Sequence, residues 1–220
     1  RSATLRIADA NSGDVRDVLR EEVATQFESG DNVANWRVLP ATNEVIWFSE
    51  RDDWGQLYLY DLTTGALKSK ITTGDGPVLS VERVDEKARM IWFVAAGKIP
   101  GRDPYFRHLY RIGMNGKGLT LLTPEDGDHN TTLSPNGAVF VDSWSRADLA
   151  PTAVLRNAST GKLISTLEQG DISKLVAAGW KAPLNAATAF SSAWRRSMIG
   201  FGVAAGTVMV IEGGLSYLGI

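Results

Sequence analysis

Glycine-bearing turns at nearly even intervals restrict the folds open to this chain more than any other feature of its sequence. Gly13, Gly65, Gly116 and Gly161 close the same kind of turn and stand 52, 51 and 45 residues apart. Before Gly65 the chain reads VIWFSERDDWGQLYLYDLTTG, two short apolar runs joined by the polar loop Glu50–Gln56. Val45–Ser49 is rich in aromatic and β-branched residues and has no helical period. Leu57–Asp61 sets Leu57 and Leu59 against Tyr58 and Tyr60, the period-2 alternation of a half-buried strand. Glycine in the turn supplies the positive φ that tight reversals need.

The unit recurs. Met90–Gly116 (MIWFVAAGKIPGRDPYFRHLYRIGMNG) repeats the apolar strand, polar loop, second strand and glycine turn. Ala138–Gly161 (AVFVDSWSRADLAPTAVLRNASTG) is a weaker copy, and the N-terminal TLRIADANSGDVRDVL keeps only a last strand pair. Further strands flank each pair: Trp36–Leu39 and Leu67–Ile71, then Val78–Val84 and Leu119–Leu122, then Asn130–Leu133 and Leu163–Leu167. Four antiparallel strands recurring every ~40–50 residues are the signature of a β-propeller blade. A β-sandwich with coincident turn spacing is the competing reading.

The expected fold is therefore all-β, a partial β-propeller of about three and a half four-stranded antiparallel blades over residues 1–183. An apolar, helical tail is expected over 184–220. Propellers close with roughly four to eight blades, so these are expected to be part of a longer ring. The opening RSATLRIADA has neither an initiating methionine nor an apolar leader and reads as a cut N-terminus.

Composition narrows the chemistry. The 220 residues are 44% hydrophobic and 22% charged, as in an ordinary globular protein. A net charge of −2 leaves no electrostatic footprint for nucleic acid. With no cysteine, disulfides, thiolate metal sites and a cysteine nucleophile are excluded.

The segment IWFSERDDWGQLYLYD resembles a blade motif of the dipeptidyl peptidase IV group of the prolyl oligopeptidase superfamily: an aromatic strand, Ser-Glu-Arg-Asp, then a His/Gln-Leu-Tyr strand. RHLYRI and LTPEDGDHNTTLSPNGAVFVDSWS resemble the next two motifs in the same order, and the set covers Thr4–Trp180. Asp53-Trp54 departs from it, since the family often has glycine there. The resemblance implies an eight-bladed propeller capping an α/β-hydrolase domain. That domain carries a Ser-Asp-His triad and removes dipeptides from peptide N-termini, typically after proline.

The implied role of this chain is a non-catalytic propeller segment that gates and positions a peptide substrate. Its implied partners are that peptide and the hydrolase domain; its implied location is extracytoplasmic or membrane-associated. The substrate-binding glutamates of the family would lie N-terminal to these residues, and the nucleophile beyond Trp180. Trp36-Arg37 stands where the family has an aromatic–arginine pair. By resemblance, Trp36 would stack on an apolar side chain and Arg37 would bind a carbonyl or carboxylate. Blade packing for Trp36 and a surface charge for Arg37 are the alternative, since both residue types also serve well-packed contacts. A propeller-like binding module, free or membrane-tethered and unrelated to peptide cleavage, is the alternative function.

No catalytic residue, metal ligand or cofactor site is expected within the chain. A triad needs a nucleophile, a base and an orienting acid. The two histidines, His108 and His129, fall inside blades and are expected to be loop hydrogen-bonders. GGLSYLG has Leu218 where a nucleophile elbow at Ser216 needs glycine, and no histidine follows. Asp126, Asp128 and Asn130 have calcium-loop spacing but lack the loop's glycine and final glutamate, so a solvated turn is expected.

After Pro183 the composition changes. Only Arg195, Arg196 and Glu212 are charged, and Ser197–Ile211 is an uncharged run. About 20 apolar residues span a bilayer, so 197–220 is a candidate for membrane contact, with Glu212 against it. VMVIEGGLSYLGI resembles a Glu-x-x-Leu-Ser-Phe-Leu-Gly segment of peptide-transporter permeases, and Arg195-Arg196 suits the positive-inside pattern. Ala189–Ile211 is expected to be helical. The alternative is a buried or disordered tail from a broken or fused reading frame.

Overall fold

The computed structural model describes residues 2–23 and 36–182. The chain opens on a hairpin, β1 (Ser2–Ala8) and β2 (Val15–Glu22), and continues through three four-stranded antiparallel meanders. The first is β3 (Arg37–Leu39), β4 (Glu44–Asp52), β5 (Trp54–Asp61) and β6 (Leu67–Lys70). The second is β7 (Val78–Asp85), β8 (Met90–Ala96), β9 (Arg107–Gly113) and β10 (Thr120–Leu121). The third is β11 (Asp128–Leu133), β12 (Val139–Arg146), β13 (Leu149–Asn157) and β14 (Leu163–Gln169), followed by the short helix α1 (Ser173–Ala177).

Each sheet holds its strands in chain order, as propeller blades do. Among the described residues no helix is long and apolar enough to cross a membrane. The expected helix at Ala189–Ile211, the membrane contact at 197–220 and the permease-like end lie outside the described residues.

The blades stack face to face, and this corrects one expectation. Leu57, Tyr58, Leu59 and Tyr60 are all buried, so β5 is not half-exposed. Leu57 and Leu59 join Ile46 and Phe48 against Ile91, Phe93 and Ile112 of the second blade. Tyr58 and Tyr60 join Val45 and Trp47 against Val18 and Leu19 of the hairpin. Alternation survives as a choice between two neighbours, because a sheet covered on both faces is apolar on both.

The same two-sidedness hides the register. By sequence the run Ile46-Trp47-Phe48 matches Ile91-Trp92-Phe93 and Val139-Phe140-Val141, and all three do lie in equivalent strands, β4, β8 and β12. The ladders align them one residue differently, since Glu44 faces Asp61, Met90 faces Gly113 and Val139 faces Asn157. Val45, Ile91 and Phe140 are therefore equivalent and face the preceding unit; Ile46 and Trp92 face the following one, and Val141, equivalent to them, is on the exposed face of the third blade. A one-residue slip swaps every side chain to the other face, and a continuously apolar run carries no alternation to forbid it.

The repeated glycines mark where one unit touches the next. Gly65, Gly116 and Gly161 have φ of 70°, 76° and 72°. A Cβ on them would lie 2.0, 2.5 and 2.6 Å from the carbonyl oxygens of Val18, Lys70 and Leu122, each in or just past the last strand of the preceding unit. β2 thus occupies the place that β6 and β10 occupy in complete blades, and β1–β2 is the outer half of a further blade.

Candidate functional site

The short strand β3 forms one edge of the first blade. It is paired through Arg37 with Ile46, Val38 with Val45 and Leu39 with Glu44. Leu39 is buried and anchors the strand, whereas Trp36, just before the ladder, is 39% exposed. Arg37 is half-buried, and its Nη1 donates to the Trp36 carbonyl at 3.0 Å. The expected pair therefore sits together at a blade edge, with the tryptophan partly exposed.

Strand directions put the β4–β5 and β8–β9 loops at the same end of the blades as Trp36. Those loops carry Trp54 and Tyr105, 45% and 87% exposed. A group of exposed aromatics on one end is unusual for residues that usually anchor cores and interfaces.

The β4–β5 loop is braced by a network that sequence reading missed. Glu21, buried in β2, accepts hydrogen bonds from Trp47 Nε1 at 2.7 Å, Arg51 Nη2 at 2.9 Å and the Ser49 hydroxyl. Arg51 lies over the Tyr58 ring, 4.4 Å from its centroid. The Tyr58 hydroxyl donates to Asp52 at 2.7 Å, and Lys70 pairs with the same carboxylate at 2.6 Å. Burial and then the neighbouring Asp52 carboxylate push the Tyr58 phenol up, so it stays a donor. Ser-Glu-Arg-Asp therefore fixes the loop to the hairpin.

The histidines correct a second expectation: both are buried within strands, His108 in β9 and His129 in β11. His108 Nδ1 donates to the Thr123 carbonyl at 2.8 Å, while its Nε2 has no hydrogen-bond partner among the described residues. Burial lowers the His108 pKa, against the Thr123 carbonyl that favours the protonated ring. His129 lies 4.9 Å from His108 between ring centroids, with Nδ1 2.8 Å from Asp142 Oδ1 and Nε2 3.1 Å from the Glu125 carbonyl. Neither ring has an accessible nitrogen next to a hydroxyl nucleophile, so neither is placed as a general base.

Glu125, His129 and Asp142 bring metal-ligand atoms within 4.8 Å of one another. The cationic place beside both carboxylates belongs to Arg156, whose Nε donates to Asp142 at 2.9 Å and Nη2 to Glu125 at 2.6 Å. A divalent ion would have to share these acids with a buried guanidinium, which opposes it electrostatically. In the turn expected to be solvated, Asp128 pairs with Arg107 at 2.6 Å and Asp126 with Arg146 at 2.8 Å. These acids tie loops together.

Residues 1–151 match the family model described as the dipeptidyl peptidase IV (DPP IV) N-terminal region. The chain is 22% identical over 125 residues to a protein of Arthroderma benhamiae (strain ATCC MYA-4681 / CBS 112371) named "Probable dipeptidyl peptidase 4". That alignment covers 56% of this chain and 15% of the relative. Among solved structures, Porphyromonas gingivalis dipeptidyl peptidase 4 is similar with a TM-score of 0.63 and 23% identity, over 80% of this chain and 23% of that one. A Bacteroides ovatus ATCC 8483 protein assigned as a dipeptidyl aminopeptidase IV gives 0.61 and 18%, over 77% of this chain and 26% of that one. This chain thus spans about a quarter or less of each protein it resembles.

Proposed function

The chain belongs to the family of the dipeptidyl peptidase IV N-terminal region, and from that premise we propose that it is a non-catalytic propeller segment of a serine-type dipeptidyl peptidase. Its role in this reading is to gate and position a peptide for a hydrolase domain. The observation that carries it is the family match through the first two blades and into the third, as far as residue 151. The partly exposed Trp36 beside Arg37, on the blade end that also presents Trp54 and Tyr105, supports a peptide-facing surface. Trp36 would stack on an apolar side chain of the peptide, and Arg37 would hold a carbonyl or carboxylate through its planar donors.

Two measurements test this. The purified chain is expected to leave dipeptidyl-proline chromogenic substrates uncleaved, since no histidine of the described residues is placed to act as a base. A peptide with proline at its second position, titrated into the chain, should bind weakly, and Trp36→Ala or Arg37→Ala should each reduce affinity by about tenfold. Peptide binding untouched by both substitutions would remove these two residues from the site.

A further inference from the structure

We propose that the seam between the first and second blades, at the end opposite Trp36, is a binding groove for a multiply charged oxyanion such as a phosphate- or sulfate-bearing ligand. The groove has a volume of about 640 Å³, and Lys68, Arg89, Arg111 and Lys117 line it over a floor that includes Leu59 and Met90. None of its lining residues is acidic. On a chain whose net charge is −2, four cations around one concavity are a local reversal of sign. Such clefts focus field and concentrate counter-ions.

The cations are arranged in two ways. Lys68 and Arg89 share a single carboxylate, Glu44, which is 2% exposed and also accepts from Thr42. Arg89 adopts a left-handed φ of 57°, unusual outside glycine, in making that contact. Arg111 and Lys117 have no carboxylate partner among the described residues. The Arg111 guanidinium is turned to the third blade, where Nη1 donates to the Ser159 carbonyl at 3.0 Å beside the Trp92 ring at 5.5 Å. An anion entering the seam would meet the exposed Lys117 ammonium and two cations that have only one acid between them, with Arg111 adding its charge from the other face of the second blade. Charge-assisted contacts of this kind favour phosphate and sulfate oxygens over neutral ligands.

The test uses the whole chain and inorganic pyrophosphate, with sulfate as a second arm and sodium chloride of matched ionic strength as the control. Isothermal titration should give saturable pyrophosphate binding that chloride does not reproduce. Lys117→Glu, at an exposed turn position, should weaken it at least about fivefold while leaving the thermal transition in place, and Arg111→Gln, which removes a charge turned to the third blade, should weaken it less. Preference for sulfate over pyrophosphate would assign the groove to sulfated ligands; the reverse order would assign it to phosphorylated ones. Absence of saturable binding, or binding unchanged in a folded Lys117→Glu variant, overturns the proposal. Because neither residue neighbours Trp36 or Arg37, the outcome is separable from that of the peptide titration.

Discussion

Val18's carbonyl oxygen lies only 2.0 Å from the point a methyl group on Gly65 would occupy, so this glycine is required twice over, by its φ of 70° and by the neighbouring unit. Gly13 has the equivalent turn and φ of 76° but nothing within 4 Å of its missing Cβ. Alanine at Gly13 should therefore carry only the left-handed backbone cost, about 1–2 kcal/mol. Alanine at Gly65 should add a backbone displacement and lose more than about 3 kcal/mol. Chemical denaturation of the two variants checks this, and equal losses would mean that the seam relaxes freely.

His108 makes a second prediction at this scale. Its folded pKa lies below its ordinary value, so the unfolded chain takes up a proton that the folded chain refuses. The resulting stability is present above the unfolded pKa, about 6.5, and is lost as pH falls from there towards the folded value. Glutamine stands at the equivalent position of the first blade, where Gln56 donates to the Gly74 and Gly76 carbonyls. His108→Gln should consequently flatten the fall in unfolding free energy between about pH 7 and pH 5. An unchanged slope would assign the acid sensitivity to other groups.

At the scale of strands, equivalent carbonyls are satisfied by unlike donors. Arg16 reaches the Leu62 carbonyl at 2.9 Å, Ser69 the Met114 carbonyl at 2.6 Å, and Trp92 the Ala158 carbonyl at 2.7 Å. The position needs a donor from the unit before it, and no residue type is fixed, which is why sequence repetition does not display it. Turn spacing made the strands and their order legible because glycine alone tolerates those sites. Register was not legible, because Val45–Phe48 is buried on both faces and either alignment is equally apolar. The polar networks were hidden for a related reason. Asp142 and Arg156 occupy places that are Phe93 and Ile112 in the second blade, and nothing local marks them as partners. Trp36 and Arg37 were found through resemblance, and Glu21 was missed because the partners it holds lie 26 to 30 residues away.

The Asp142–Arg156 pair is buried at 0% and 3% exposure, so each charge depends on the other. Asp142→Asn or Arg156→Met alone should cost about 3–5 kcal/mol, because the remaining charge is left in the seam with one partner fewer. The double variant should cost clearly less than the sum. Additive losses in a double-mutant cycle would show that the two residues are not coupled.

Across the whole molecule, a position's neighbours decide what it tolerates. Ile46 and Val141 are equivalent in the blade ladder, yet Ile46 is 0% exposed under the second blade while Val141 is 38% exposed. β14 carries Leu163, Ile164 and Leu167 on the same outlying blade, each about half exposed at 49%, 53% and 53%. An apolar sheet face left open invites association with other copies, and a charge placed on it opposes that association. Ile46→Lys should abolish cooperative folding, since it places an ammonium in the seam without a partner. Val141→Lys should leave the thermal midpoint within a few degrees and increase the monomer fraction in size-exclusion chromatography with light scattering. If Val141→Lys instead destabilises the protein as severely as Ile46→Lys, the far face of the third blade is covered in solution, and its exposure does not describe the chain at work.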